Sequence, residues 1–180
     1  NNLGELFESG QGMKRSVPNA EFCYRKAASA GLHEAEYNLA RLYDYGVGGR
    51  TDYSKAAYWY RKAADGGFTP AVSMLGVLYS YGRGVKKDLA EAMRLFEKAS
   101  AENDPAGLFN LGVMYDTGSG VKADPARAAG LYRRAGDARY SRALFNLGML
   151  YASGRGVSLD YKKAMECWKE SHELGFPAAA

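Results

Sequence analysis

The chain has little of what catalysis, metal binding or covalent cross-linking draws on. Its 180 residues include only two histidines and two cysteines. His33 and His172 have no second histidine four residues away and no cysteine pair nearby, so the pattern of a zinc site is missing. Cys167 and His172 are five apart, which on a helix places them on different faces and excludes a nucleophile and base in contact. No apolar run approaches the roughly 20 residues that a membrane-spanning helix needs. The formal net charge of +4 is modest. Basic residues do not converge on one face with interleaved aromatics, which argues against a nucleic-acid partner.

What the chain has is a period. Gly4, Ala40, Gly76, Gly112 and Gly148 follow one another at a constant step, and Ala20, Ala56, Ala92, Ala128 and Ala164 keep the same 36-residue interval without insertion. A unit of that length cannot bury its own apolar face, so copies must stack, which predicts a solenoid rather than a closed domain. Cys23 and Cys167 share one slot of the period, four units apart in a linear stack. They are therefore read as apolar filler that cannot bridge.

One unit shows the design. From Thr69 to Tyr81, apolar residues at Ala71, Val72, Leu75, Leu78 and Tyr79 have the spacing of a helix with one buried face, helix A. Gly76 on that face marks a close helix contact. Gly82-Arg83-Gly84-Val85 stops the helix, and Asp88, with Asp52, Asp124 and Asp160 in its slot, is an N-cap for helix B over about 89–101. Gly31, Gly67 and Gly175 end helix B in three units. Arg25 with Lys26, Arg61 with Lys62, and Arg133 with Arg134 fall near helix B ends, where cations complement the helix dipole. The expectation is all helix and no strand.

The strings Leu75-Gly76-Val77-Leu78-Tyr79, Gly82-x-Gly84-Val85, Lys55-Ala56, Trp59-Tyr60 and Lys62-Ala63-Ala64 resemble the Sel1-like repeat (SLR), a relative of the tetratricopeptide repeat. The resemblance spans essentially the whole chain. It implies an all-α, right-handed α-solenoid of antiparallel helix pairs with a concave inner surface, serving as scaffold or adaptor for other proteins and without catalysis of its own. In this register a truncated first repeat covers 1–31, full repeats cover 32–67, 68–103, 104–139 and 140–175, and a further repeat starts at 176–180. Some members carry a disulfide within each repeat; the paired cysteines are missing here, which disfavours that branch. Gly49, Gly107, Ser171 and His172 depart from the usual pattern without disturbing the expected fold.

Two other motifs dissolve in the repeat. Asp116-Thr117-Gly118 spells an aspartic-protease triplet, but its slot elsewhere reads Asp44-Tyr45-Gly46, Ser80-Tyr81-Gly82 and Ala152-Ser153-Gly154, the end of helix A. Gly46-Val47-Gly48 follows a helix, whereas a dinucleotide fingerprint follows a strand.

The outward side of helix A carries the candidate site. Glu5, Glu8, Glu34, Tyr37, Arg41, Asp44 and Tyr45 begin it, and Val77, Tyr81, Phe109, Val113, Phe145 and Met149 continue it. Aromatic and methionine side chains repeated at equivalent positions suit a peptide-binding groove. They equally suit an inter-repeat core, and both readings stand at this point. The partner-binding candidates are Tyr37, Arg41, Tyr45, Val77, Tyr81, Phe109, Val113, Phe145 and Met149. Asn38, Asn110 and Asn146 share a slot at the edge of this face, where they cross-link helices or meet a ligand backbone. The expected partner is a protein or peptide, with no nucleic acid, membrane insertion, small-molecule substrate, metal or cofactor; the alternative is a regulatory module for a catalytic or signalling domain outside residues 1–180. Compartment is left open.

Overall fold

The computed structural model describes residues 1–49 and 51–177. Among them there are ten helices and no strand: α1 (Asn2–Ser9), α2 (Val17–Ser29), α3 (His33–Asp44), α4 (Tyr53–Asp65), α5 (Thr69–Tyr81), α6 (Leu89–Ala101), α7 (Pro105–Thr117), α8 (Pro125–Asp137), α9 (Ser141–Ser153) and α10 (Tyr161–Glu173). Odd-numbered helices are the A helices of the repeat and even-numbered ones the B helices. Of the expected repeat start at 176–180, Ala178, Ala179 and Ala180 lie outside the described residues.

The chain divides into two compact units, one ending at Asp88 and the other beginning at Leu89. In the first, α1 packs on α2, α2 on α3, α3 on α4 and α4 on α5. In the second, consecutive helices from α6 to α10 pack in the same way. The architecture is an all-α solenoid.

Local signals set the helix ends. Asp52, Asp124 and Asp160 each accept a hydrogen bond at 3.0 Å from the backbone N–H three residues on. Asp104 does the same for Gly107 at 2.7 Å. Each satisfies one of the donors that a helix start leaves open.

The constant glycine or alanine of helix A has a steric cause. A methyl group at Gly4 would stand 2.6 Å from the Tyr24 ring, and one at Gly112 would stand 2.7 Å from the Tyr132 ring. At Gly148 it would run into the indole of Trp168. The small residue is the seat on which the large ring of the B helix lies. Tyr24, Tyr60 and Tyr132 are fully buried as a result. In the first unit Tyr24 and Ala20 close a cluster with Leu39 and Leu42 of the next A helix.

Repeats are also fastened by their loops. A side chain at Gly84 would collide with the backbone at Tyr53, and one at Gly156 with the backbone of Pro125 and Ala126. The loop after each of these A helices thus rests on the first turn of the preceding B helix.

The paired cations act both within and between helices. Lys26, Lys62 and Arg134 lie in last turns, where they complement the helix dipole. Arg25, Arg61 and Arg133 donate to the phenols of Tyr43, Tyr79 and Tyr151 at 2.6, 2.7 and 2.8 Å, Arg25 also pairing with Glu21 of its own helix at 2.8 Å, while Lys62 reaches Glu36 at 3.4 Å and Arg134 donates to Asn103 at 2.6 Å. The phenol contacts fasten these B helices to the following A helices. The cysteines are free and half-buried rather than fully buried.

Candidate functional site

The nine candidate residues separate into two sets, five in the first unit and four in the second. In the first, Tyr37 is half-buried between the rings of Tyr60 and Phe68, at centroid distances of 5.7 and 5.1 Å. Arg41 lies 3.9 Å from Glu8, donates to Asn38 at 3.4 Å and stands over the Tyr45 ring at 6.0 Å. Tyr45 is 60% exposed and Tyr81 is 68% exposed, while Val77 is half-buried. Arg83 lies over the Tyr81 ring at 5.0 Å.

In the second unit, Phe109 packs on Tyr132 and Tyr140 at 5.9 and 5.2 Å. Phe145 repeats the arrangement with Trp168 and Phe176 at 6.5 and 5.2 Å. Both phenylalanines are half-buried, each packed against the B-helix ring of the same repeat and the aromatic that opens the next. Val113 is half-buried and Met149 is 51% exposed. The rings are pinned by packing and are neither fully buried nor fully exposed. Aromatic packing of this kind fixes a ring's orientation.

The asparagines behave individually. Asn38 donates to Asn1 at 3.0 Å and to Glu5 at 3.3 Å, linking α3 to α1 and its preceding residue. Asn110 donates to the Ala106 carbonyl of its own helix at 2.8 Å.

Glu8 and Asp44, expected on the outward face of helix A, are instead drawn onto B-helix phenols, Asp44 being buried and Glu8 half-buried, and it is this pairing that the sequence reading did not single out. Tyr24 donates to Glu8 at 2.8 Å, and Tyr60 to Asp44 at 3.2 Å. Burial and the adjacent Glu8 carboxylate push the Tyr24 phenol well above its ordinary range; burial and Asp44 do so at Tyr60. Burial raises the Asp44 carboxyl, and the hydrogen bond from Tyr60 and the charge of Arg83 oppose that rise. A signal for these pairs was present. Where the B-helix ring is a tyrosine, at 24, 60 and 132, the A-helix slot holds Glu8, Asp44 and Asp116; where it is Phe96 or Trp168, that slot holds Ser80 or Ala152. Among the described residues there is no group of three or more metal-ligating side chains placed to hold an ion. No described helix is long and apolar enough to cross a membrane.

A regular stack of capped helix pairs, presenting a partly open aromatic strip, defines the class of repeat solenoids. The Sel1 repeat model matches residues 1–32, 33–68, 69–104, 105–140 and 141–176, and the chain belongs to the Sel1 repeat family. Similar solved structures include a Sel1 repeat protein from Oxalobacter formigenes, with 35% identity and a TM-score of 0.88 over 97% of this chain and 71% of that one. A protective antigen present in uropathogenic Escherichia coli strains and displaying an SLR fold is 30% identical, with a TM-score of 0.83 over 97% of this chain and 38% of that one. The Helicobacter pylori cysteine rich protein B shares the fold at 23% identity and a TM-score of 0.55, over 67% of this chain and 91% of that one. Comparison with curated protein sequences gives no match. Sel1 repeat proteins are generally protein-interaction scaffolds, and the solenoid is typically non-catalytic.

Proposed function

We propose that the chain is a non-enzymatic scaffold that holds a protein or peptide segment against its A-helix face. The supporting observation is the half-buried state of Phe109 and Phe145, each braced by two rings, with the half-exposed Met149 one turn after Phe145 on α9. Rings already fixed by packing lose little freedom when a partner covers them, and aromatic and methionine side chains dominate interface energetics. In the first unit, Tyr45 and Tyr81 offer exposed rings of the same kind beside Arg41 and Val77.

Site-specific photo-crosslinking tests the reading. A photoreactive amino acid at Met149 or Val113, introduced into the protein in its native host, is expected to capture a discrete protein partner. The same group at Gly130, exposed on a B helix, should not. Equal capture from Gly130, or capture from Gly130 alone, would place the partner elsewhere. Met149→Glu should abolish capture from Val113 while leaving the melting temperature within about 1 °C, because a half-exposed side chain away from special features changes stability by only about 0.5 kcal/mol.

A further inference from the structure

One column of the outward face changes character along the period. Glu5, Arg41, Val77, Val113 and Met149 share its slot, so two opposite charges stand in the first unit where the later repeats carry apolar side chains. A cavity of about 620 Å³ opens there, its lining including Glu5, Glu8, Arg15, Arg41 and Val47, all within the first unit. The two carboxylates and two guanidiniums in that lining cancel in formal charge.

These charges are held apart rather than spent on one another. The Arg41 guanidinium and the Glu8 carboxylate are 3.9 Å apart, beyond hydrogen-bond reach, whereas the pairs Arg94–Glu91 and Arg155–Asp116 close to 2.7 Å. Each group at the cavity is tethered from elsewhere. Glu8 Oε2 accepts from the Tyr24 hydroxyl at 2.8 Å, and Glu5 Oε1 accepts from Asn1 at 2.8 Å and Asn38 at 3.3 Å. Arg41 donates to the Asn38 amide oxygen at 3.4 Å and lies over the Tyr45 ring at 6.0 Å. Arg15, in the loop after α1, donates through Nε to the Glu8 carbonyl at 3.0 Å. Among the described residues this leaves the second oxygen of each glutamate and both Nη groups of Arg15 without a hydrogen bond. Side chains fixed in this way lose less freedom when a ligand reaches them.

A lone anion or a lone cation entering this cavity meets its own sign as well as the opposite one. A ligand with both signs on neighbouring side chains resolves the conflict: its acid pairs with a guanidinium in the planar geometry that arginine favours, its base with a glutamate, and its methylene stems lie on Val47. We propose that this cavity binds a peptide segment carrying an acidic residue next to a basic one. This rests on the reading of the A-helix face as the partner surface and assigns the first unit a charged stretch of the bound segment.

Blocked dipeptides test the site without the natural partner. Acetyl-Glu-Lys-amide, titrated at low salt into isotope-labelled protein, should shift the NMR signals of the Arg15 and Arg41 side chains and of the Glu5 and Glu8 amides. Acetyl-Glu-Gln-amide and acetyl-Gln-Lys-amide should bind about tenfold more weakly. Salt at about 0.5 M should weaken the doubly charged peptide, because exposed charges are then screened. Arg15→Met, Arg41→Met and Glu5→Gln should each reduce its binding, with thermal melts confirming that the protein stays folded. Singly charged peptides that bind as tightly as the paired one, or binding that persists undiminished in all three variants, overturn the proposal. Free lysine or free glutamate binding more tightly than the blocked dipeptide also overturns it, in favour of an amino-acid site. A photoreactive group at Val113 that still captures a partner, while the dipeptide moves no signal, keeps the partner face and removes the charge-pair site.

Discussion

At the scale of single residues, the period shows which positions are equivalent but not where their side chains end. The glycine column was legible as a close contact, and its partner, the B-helix ring, is the part that only packing reveals. Gly112→Leu should cost about 1 to 3 kcal/mol, because the added volume meets the Tyr132 ring. Gly130→Ala, where a methyl group meets nothing within 4 Å, should be neutral or stabilising by up to about 1 kcal/mol; thermal melts check both. Arg139 is a further case. It holds a φ of +63° in a slot where Gly31, Gly67 and Gly175 have φ between +82° and +86°. Arg139→Gly should therefore raise the melting temperature, by an amount corresponding to about 1 kcal/mol. Cys167 was read as buried filler and is half-buried instead. Burial first, then Glu170 and Glu166, hold its thiol above the ordinary range, so the thiolate is scarce at neutral pH and iodoacetamide should label it slowly. Raising the pH should accelerate labelling.

At the scale of elements, helix limits were legible because capping chemistry is local. Thr69–Tyr81 and Leu89–Ala101 are the observed α5 and α6, and the aspartates at 52, 124 and 160 accept the expected bonds. Asp124→Ala should cost about 1 kcal/mol. The hydrogen bond to the Lys55 side chain holds the Asp52 carboxyl below its usual range, and backbone N–H donation from Lys163 does so at Asp160. A carboxyl depressed in the folded state stabilises above the unfolded aspartate range and loses that contribution as pH falls through its lower folded value. Helicity followed by circular dichroism should thus decline below about pH 4, the ordinary aspartate range, and the decline should be shallower in Asp52→Asn with Asp160→Asn. Less legible was the reach of Arg25, Arg61 and Arg133 to phenols of the following helix. A long side chain at a helix end can serve its own dipole or a neighbour, and sequence spacing does not distinguish them. The tyrosine and acid columns were readable in principle, since each phenol is matched by a carboxylate, but the match emerges only when slots on different helices are compared.

At the scale of the whole molecule, stability is spread over joints rather than concentrated in one centre, as in other stacked arrays. Native-state hydrogen exchange should show this: α1, whose buried residue is Gly4, should exchange faster than α7, which buries six. Comparable protection of both would mean that ordering spreads cooperatively along the first unit. The seating of Gly84 on Tyr53 and of Gly156 on Pro125 has its own consequence for how such a chain can change in length. A loop that must land on a given turn of the previous helix acts as a ratchet, accepting whole teeth only. Duplicating residues 105–140 reproduces a complete joint and should give a longer folded protein. Adding one residue between Gly154 and Gly156 moves the loop off its seat while adding no new apolar surface. Growth by tandem duplication is thereby open to this fold, and drift by single insertions within the loop is closed.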